Sequence, residues 1–319
     1  MGLRPRAKAS PRQGDDVAEP EGIAGKKRQD PRANSQSLED ALQAALDRVE
    51  AHAAAERFPL ALSTGFEDLD ALTSGLHGGT LTVLASRPAM GRSTLLLDVC
   101  RTAAVKNRVP TLHVSLEHSI SETTLRLMSA ECRVALHHLR SGTINEADAE
   151  RLNRHLPQVA NAPLYFWAPA YLTAAELAAR VRTEVDTRDV RLLAVDGVQD
   201  IRPEQRNDLR EREVGDVVRD LKALSRELDI PVVCTSHLNR APEQRDGRVP
   251  ALDDLRESGA ITFAADTIVL LYREDAYDRE SARAGEADLI VAKHRNGPAA
   301  TITIAFQGHY SRFVDWAKP

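Results

Sequence analysis

Aromatic residues are scarce in this sequence: Phe, Trp and Tyr together make up 4% of its 319 residues. This scarcity excludes a core built mainly on aromatic packing, so we expect Leu, Val, Ile and Ala to fill the interior. The hydrophobic fraction of 42% is close to that of ordinary globular domains, and it supports a sizeable core.

Cysteines and long apolar runs are also few. Cys100, Cys132 and Cys234 lie far apart without metal-ligand spacing, so we expect buried, reduced thiols rather than a zinc site or disulfides. No apolar run approaches the roughly 18 residues that span a membrane, and no signal-peptide apolar region is present. We therefore expect a soluble, cytoplasmic chain with no membrane partner.

The chain has no excess of positive charge, since its formal net charge is −5. The molecule as a whole does not attract nucleic acid, and any such binding must come from local basic loops. Arginines cluster within 202–212 and again within 240–248. Two interpretations of these loops stay open: their arginines contact a phosphate backbone, or they are ordinary solvated surface charges.

Three segments of different character follow one another along the chain. Residues 1–36 carry scattered prolines and charges and no aromatics, which predicts a disordered tail. Residues 37–57 begin with a capping pattern at Ser37 and place Leu38, Leu42 and Leu46 at helical spacing, which predicts an amphipathic helix. Its apolar stripe packs either on its own domain or on a neighbouring subunit. Residues 58–319 form the main domain.

The main domain alternates apolar strand-like runs with helical patterns. Such alternation predicts an α/β fold with a mainly parallel, twisted sheet and helices on both faces. The closely spaced last strands are expected to be antiparallel. The expected strands are 80–86, 110–116, 164–167, 191–196, 231–235, 266–272, 287–293 and 300–306; the expected helices include 94–106, 120–132, 146–155, 173–186 and 212–228.

A tight loop between an apolar strand and a helix is the most informative local pattern. It is typical of a nucleotide phosphate-binding loop, in which backbone N–H groups and a helix N-terminus hold phosphate oxygens. Ser93 stands where the hydroxyl ligand of Mg²⁺ would be, but Arg92 occupies the usual Lys position. An ordinary strand-to-helix turn is the alternative. The candidate nucleotide-binding residues are Arg87, Pro88, Ala89, Met90, Gly91, Arg92, Ser93 and Thr94.

Two other strands end in carboxylates. Asp196 ends an apolar run, and in doubly wound sheets ligands lie beyond the carboxyl ends of strands, so Asp196 is a candidate for the Mg²⁺ shell. Glu117 follows a second run and is a candidate for orienting and deprotonating the water that attacks a γ-phosphate. A helix cap for Asp196 and a surface charge for Glu117 are the open alternatives.

Polar residues at two further strand ends complete the set. The run from Thr235 to Arg240 follows a third strand, where a polar side chain can sense a γ-phosphate. Lys293 and Arg295 end a late strand before an Asn-Gly turn, and such paired cations can reach a phosphate in a neighbouring subunit. Exposed turn charges are the alternative for this pair.

Taken together, these residues resemble the C-terminal motor domain of DnaB-type replicative helicases. The resemblance covers about 64–317, in order, and the helix near 37–56 resembles the family's linker helix. It is carried by the runs Thr64–Asp70, Thr73–Leu76, Arg87–Gly91, Ser115–Glu117, Asp254–Ile261, Ala292–Pro298 and Phe306–Phe313.

The resemblance implies a RecA-like P-loop fold and a homo-oligomeric, hexameric ring that binds ATP and Mg²⁺ at subunit interfaces and single-stranded DNA in its channel. By position it makes Glu117 the catalytic base and His237 the γ-phosphate sensor. Lys293 and Arg295 match the cation pair supplied to the adjacent subunit. The remaining implied roles are metal binding for Ser93 and Asp196, and DNA contact for Arg256, Glu257 and Gly259.

Some positions depart from the family. Arg92 replaces Lys, His237 stands where Gln is usual, and Gly197 and Asp200 replace the usual Tyr and apolar residue. We also expect no N-terminal collar domain, which bears on coupling to primase and other replication proteins. The leading hypothesis is an ATP-dependent DNA helicase. The alternative is a hydrolysis-defective ATP- and DNA-binding relative that assembles on DNA or modifies a helicase ring.

Overall fold

A computed structural model describes residues 37–54, 61–203, 210–255 and 258–316 of the chain. Within these residues lie eleven strands and nine α-helices. The strands are β1 (Ala61–Leu62), β2 (Leu76–His77), β3 (Leu81–Ser86), β4 (Thr111–Ser115), β5 (Leu164–Trp167), β6 (Leu192–Asp196), β7 (Val232–His237), β8 (Thr267–Tyr272), β9 (Glu286–His294), β10 (Ala300–Gln307) and β11 (Arg312–Asp315).

The helices alternate with the strands through most of the chain. Short 3₁₀ turns connect several of these elements. The α-helices are α1 (Leu38–Ala54), α2 (Glu67–Thr73), α3 (Arg92–Arg101), α4 (Ile120–Cys132), α5 (Leu136–Ser141), α6 (Glu146–Ala160), α7 (Ala174–Arg188), α8 (Arg210–Leu228) and α9 (Ser258–Ala264).

Nine strands form one sheet in the order β11-β10-β9-β8-β3-β7-β6-β4-β5. The six strands from β8 to β5 are mutually parallel, whereas β9, β10 and β11 add antiparallel pairs at one edge. The predicted α/β class, the mainly parallel sheet and its antiparallel last strands are therefore confirmed.

Helices cover both faces of the sheet. Every residue of β3 is buried, and its side chains alternate between two apolar clusters. Val83 packs with α7 and α8 on one face, while Leu84 packs with α3 on the other. Burial on both faces explains why the strand reads as a continuous apolar run rather than an alternating one.

Several predicted boundaries differ from those of the structure. The predicted helix 94–106 begins earlier, at Arg92, and its last turn, Thr102–Lys106, is π-helical. The prediction did not include α2, α5, α9, β1, β2 or β11, because these elements are short. The predicted disordered tail, 1–36, lies outside the described residues.

The predicted amphipathic helix is present as α1. The side chains of Leu38, Leu42 and Leu46 are exposed, at 76%, 56% and 56%. In the structure, these three side chains therefore do not pack on their own domain. Among the described residues, no helix combines the length and apolarity that crossing a membrane requires.

The last strand closes the core over the start of α3. The Phe313 ring is 1% exposed and its centroid lies 4.8 Å from that of Phe306. The Phe313 backbone N–H donates to the buried carboxylate of Asp98, at 2.6 Å, which ties β11 to α3. A Cβ on Gly91 would lie 3.0 Å from the Phe313 ring, so this ring also supports the loop before α3.

We expect Phe313→Ala to destabilise the fold by about 3–5 kcal/mol, since it leaves a ring-sized cavity in a packed core. Urea unfolding monitored by circular dichroism measures this change. Phe263→Ala is the matched control, because Phe263 is 85% exposed. The control should change the free energy of unfolding by less than about 0.5 kcal/mol. Equal losses in the two variants would contradict the assignment of Phe313 to the core.

Candidate functional site

Four neighbouring parallel strands end at the same edge of the sheet. Ser86 at the end of β3 pairs with His237 at the end of β7. Ser115 at the end of β4 pairs with Asp196 at the end of β6. Because parallel strands present their carboxyl ends together, the loops that follow them surround one site.

The loop after β3 presents backbone N–H groups at a helix start. Gly91 has φ +102° and precedes α3, and no side chain caps the first turn of this helix. The free N–H groups and the helix dipole favour an anion at this position. Ala89 also has a positive φ, +67°, so the loop turns sharply between Pro88 and Gly91.

A cavity of about 260 Å³ opens beside this loop. Side chains from α4 and from the ends of β4 and β7 complete its wall. Of the predicted nucleotide-binding residues, Met90 alone does not line it, because its side chain is buried in the core at 3% exposure. The lining residues are Ser86, Arg87, Pro88, Ala89, Gly91, Arg92, Ser93, Thr94, Glu117, His118, Arg126 and His237.

Arg92 connects two of the candidate catalytic side chains. Its side chain is 6% exposed, and the guanidinium donates through Nη2 to Oε1 of Glu117. Nη1 lies 2.6 Å from Nδ1 of His237, and Nη2 lies 2.8 Å from Nε2. The Arg92 Nε is buried without a hydrogen-bond partner among the described residues. The side chain thus leaves one donor for a further acceptor.

The contacts of Glu117 fix its charge. His237 Nε2 lies 3.2 Å from its Oε1. In the tautomer with the proton on Nε2, His237 donates to Glu117 and its Nδ1 accepts from Arg92 Nη1, so the approach of Arg92 Nη2 to Nε2 is not a hydrogen bond. The hydrogen bond from His237 and the charge of Arg92 outweigh burial and lower the pKa of Glu117 to about 2. Glu117 is therefore a carboxylate across the physiological pH range.

Asp196 is buried and holds two hydroxyl groups on one oxygen. Its Oδ1 accepts from Ser93 Oγ at 3.1 Å and from Thr235 Oγ1 at 2.8 Å. Glu117, His118 and Asp196 each place one potential ligand atom within 4.8 Å of the others. The carboxylate oxygens of Glu117 and Asp196 and the nearby Ser93 hydroxyl are ligands that Mg²⁺ prefers, so these oxygens fit that ion, whereas the His118 imidazole does not.

Gly197 follows Asp196 in a conformation that favours glycine, with φ +95°. A Cβ at this position would lie 2.4 Å from Asp200 Oδ2 and 3.3 Å from Glu117 Oε1. The absent side chain thus lets Asp200 approach the site. Burial, followed by the charge of Glu117, raises the pKa of Asp200. The sequence departure at both positions therefore places an extra carboxyl beside Glu117.

Lys293 and Arg295 lie away from this cavity, beside α9. Lys293 Nζ donates to the carbonyls of Thr262 and Ala265, at 2.6 and 2.5 Å. Burial and the neighbouring Arg295 lower the pKa of Lys293. Arg295 is half exposed, with Nε 3.3 Å from Asp266 Oδ1. Neither side chain lines the cavity beside the loop at 87–94 of the same chain.

The same region contains one of the predicted DNA-contacting residues. Gly259 lines a hollow of about 430 Å³ together with Lys293 and Arg295. Arg256 and Glu257, the other two predicted DNA contacts, lie outside the described residues. In the predicted basic loops, Arg245 forms a bidentate ion pair with Asp254, at 2.5 and 2.6 Å, so its charge is largely committed within the chain.

The structure brings together Arg92, Ser93, Glu117, Asp196 and His237, as expected from the sequence. The roles of these residues stay predictions. Sequence reasoning missed the contributions of His118, Arg126, Asp200 and Thr235. The polar run after the third strand is a signal for Thr235, whereas nothing in the helical pattern around Arg126 indicates that its side chain lines the cavity.

The sequence profile of the DnaB-like helicase C-terminal domain matches residues 61–315. The replicative DNA helicase DnaB of Leifsonia xyli is 45% identical over 280 residues, which are 88% of this chain and 61% of that protein. The protein of the same name from Mycobacterium leprae is 45% identical over 226 residues, 71% of this chain and 37% of its own length. The chain thus spans about three fifths or less of these relatives.

Solved structures agree with the sequence matches. An isolated ATPase domain superimposes with a TM-score of 0.80 at 29% identity, covering 89% of this chain and 100% of that one. A DnaB-like replicative helicase, studied for its interactions with primase, superimposes with a TM-score of 0.78 at 29% identity, covering 89% and 68%. The RecA-like P-loop fold expected from the resemblance is therefore confirmed.

We expect His237→Ala to raise the pKa of Glu117 from about 2 towards its usual 4.5, because the largest of the lowering interactions is lost. Carboxyl ¹³C NMR of Glu-labelled protein measures this pKa. The depressed pKa also predicts that Glu117 stabilises the fold above about pH 4.5 and that this contribution is lost as the pH falls towards 2. A Glu117→Gln variant should lack this part of the pH dependence. An unchanged Glu117 titration in His237→Ala would contradict the contact.

Proposed function

We propose that this chain, which belongs to the DnaB-like helicase C-terminal domain family, is an ATP-dependent DNA helicase motor acting on single-stranded DNA. One observation carries the proposal: the loop at 87–94 shares a single cavity with Glu117 and His237, beside the Ser93–Asp196 contact. Phosphate binding, metal binding and water activation are thereby available within hydrogen-bond reach.

The loop is proposed to bind the phosphates of ATP. Backbone N–H groups before α3 and the start of that helix would hold the phosphate oxygens. Ser93 and Asp196 would hold Mg²⁺, directly or through water, and the ion would neutralise charge that develops on the phosphates. The unpaired Nε of Arg92 is a buried donor that a phosphate oxygen would satisfy.

Glu117 is proposed to orient the attacking water and accept its proton as the oxygen bonds to the γ-phosphorus and the bond to the β-phosphate oxygen breaks. A carboxylate with a pKa of about 2 is a weak base. Turning the Arg92 guanidinium from Glu117 to the γ-phosphate would raise that pKa and add positive charge where the transition state needs it. His237 contacts both side chains and would transmit this change to β7.

Lys293 and Arg295 are proposed to act on the nucleotide of an adjacent subunit, in a hexameric ring. Both side chains lie at the end of β9, beside α9, and neither lines the cavity beside the loop at 87–94 of the same chain. Gly259 and the preceding Arg256 and Glu257 would contact the DNA backbone. The exposed stripe of α1 would dock on a neighbouring copy. A cytoplasmic location and contacts with other replication proteins complete the proposal.

The alternative function is an ATP- and DNA-binding relative that hydrolyses poorly and assembles on DNA or modifies a helicase ring. One observation favours it: Arg92 is hydrogen-bonded to the candidate base and the candidate sensor at once. If these contacts persist with ATP bound, Glu117 remains a weak base and Arg92 does not reach the γ-phosphate. The two functions differ in turnover rather than in binding.

Steady-state ATP hydrolysis with and without single-stranded DNA separates the two functions. We expect stimulated turnover that Glu117→Gln lowers by at least about 10²-fold, since it removes the proton acceptor. Arg92→Lys should raise kcat by about tenfold, because an ammonium lacks the planar fork that contacts Glu117 and His237, and the competing contacts are weakened. ATP binding without turnover in the unmodified chain would establish the alternative.

Mixing two inactive variants tests the proposed subunit interface. Glu117→Gln lacks the base, and Arg295→Ala lacks the cation supplied to the neighbour. In a randomly mixed ring, about a quarter of the interfaces would combine an intact base with an intact cation, so activity should reappear on mixing. Arg279→Ala, at another exposed position, is the control and should stay active alone. Absence of any recovery would contradict a cation supplied across the interface.

A further inference from the structure

A second cavity, of about 800 Å³, lies at the C-terminal end of α3, whereas the loop at 87–94 lies at the N-terminal end of this helix. The nine residue steps from Arg92 to Arg101 correspond to about 14 Å along the helix. The two cavities share no lining residue. The second one is lined by Arg101, Lys106, Glu131, Cys132, Arg133, Arg151, Arg154, His155, Tyr310, Arg312 and Val314.

The charge of this lining contrasts with that of the chain. Six Arg and Lys side chains and one His face a single carboxylate, Glu131, although the formal net charge of the whole chain is −5. Some of the cations are neutralised locally. Arg101 pairs with Asp98 and Glu131, at 2.6 and 2.7 Å. Arg151 lies 3.7 Å from Asp148, and Arg154 pairs with Glu150 at 2.6 Å.

Three of the cations have no such partner. Lys106, Arg133 and Arg312 form no ion pair with a carboxylate among the residues that the structure describes. Arg312 is held instead by neutral acceptors, the Ala130 carbonyl at 3.0 Å and Gln307 Oε1 at 2.8 Å. Burial lowers the pKa of Arg312, and Arg101 and Arg133 lower it further. Asp98 and Glu131 offset part of this effect, so the positive charge in the cavity is compensated only in part.

These three cations come from separate elements that the fold fixes. Lys106 ends the π-helical turn after α3, and Arg133 is the left-handed C-cap of α4, with φ +52°. Arg312 begins β11. Like charges repel, so their convergence on one cavity costs free energy in the absence of an anion. Several fixed cations around one concavity are the arrangement that binds phosphate groups through charge-assisted hydrogen bonds.

We propose that this cavity is a second anion site, which binds a compact oligophosphate group. The volume lies within the range of small-ligand sites, and the walls on several sides favour a short polyanion over a continuous strand. Lys106, Arg133 and Arg312 would supply the charge, and the Tyr310 hydroxyl offers a further donor. The same chemistry is available from a free oligophosphate chain or from a nucleic-acid backbone, and the experiment separates these sources.

The test is calorimetric titration of sodium tripolyphosphate into the full chain at low salt, with Mg·ADP present in excess to fill the proposed nucleotide site. We expect one binding event that weakens at least about tenfold in the double variant Lys106→Gln/Arg133→Gln, since two charge-assisted contacts are lost. Both side chains are exposed and neither belongs to the buried core, so the variant should fold. Increasing salt should weaken the event further.

The matched control is Arg226→Gln/Arg279→Gln, which removes the same two charges at exposed positions outside the cavity. It should retain the tripolyphosphate affinity. Equal affinity in the cavity variant and the unmodified chain would overturn the proposal, as would equal weakening in both double variants.

A parallel titration with a 15-residue oligothymidylate identifies the source. If the cavity variant loses affinity for the oligonucleotide but not for tripolyphosphate, the compact-ligand site is refuted and the surface is a nucleic-acid contact. Binding of Mg·ADP is measured separately beforehand. Failure of that binding would count against the proposed motor function and would leave the second anion site to be judged by the cavity variant alone.

Discussion

The lateral pairing of four buried parallel strands, β4, β6, β7 and β3, positions the whole candidate site. Each strand is buried on both faces, apart from His237 at the end of β7, and is held between two layers of helices. Their hydrogen-bond register is fixed by this burial, because a shift by one residue would turn every side chain to the opposite face. Polar residues at the carboxyl ends of these strands therefore meet at one edge of the sheet, although they are far apart along the chain.

Within that frame, the guanidinium of Arg92 is the group on which the electrostatics of the site depend. Its planar fork contacts Glu117 through Nη2 and His237 through Nη1. The hydrogen bond from His237 and the charge of Arg92 together hold the carboxylate ionised and weakly basic. The neighbouring Gly197 admits Asp200, whose raised pKa reflects burial beside the same carboxylate. The departures from the family pattern are thus physically linked, since Arg92, His237 and Asp200 all interact with Glu117 and Gly197 lies beside it.

The distribution of positive charge in this acidic chain is uneven. Lys293 and Arg295 are concentrated beside α9, where Lys293 satisfies helix-end carbonyls. A second group of cations gathers where α3, α4, α6 and β11 meet. A formal net charge of −5 describes neither region, because electrostatic attraction of a phosphate acts over about a Debye length and not over the whole molecule.

The sequence by itself determined the order and type of the long elements, the α/β class, the loop before α3 and the residues Arg92, Glu117, Asp196 and His237. Most of these follow from local signals, namely continuous apolar runs, helical periods and polar residues at strand ends, whereas the family resemblance singles out His237 within its polar run. Only the tertiary structure decided that Thr235, His118 and Arg126 join the site, that Met90 turns into the core and that Lys106, Arg133 and Arg312 converge. Their proximity depends on how distant elements pack, and neither periodicity nor spacing along the chain carries that information.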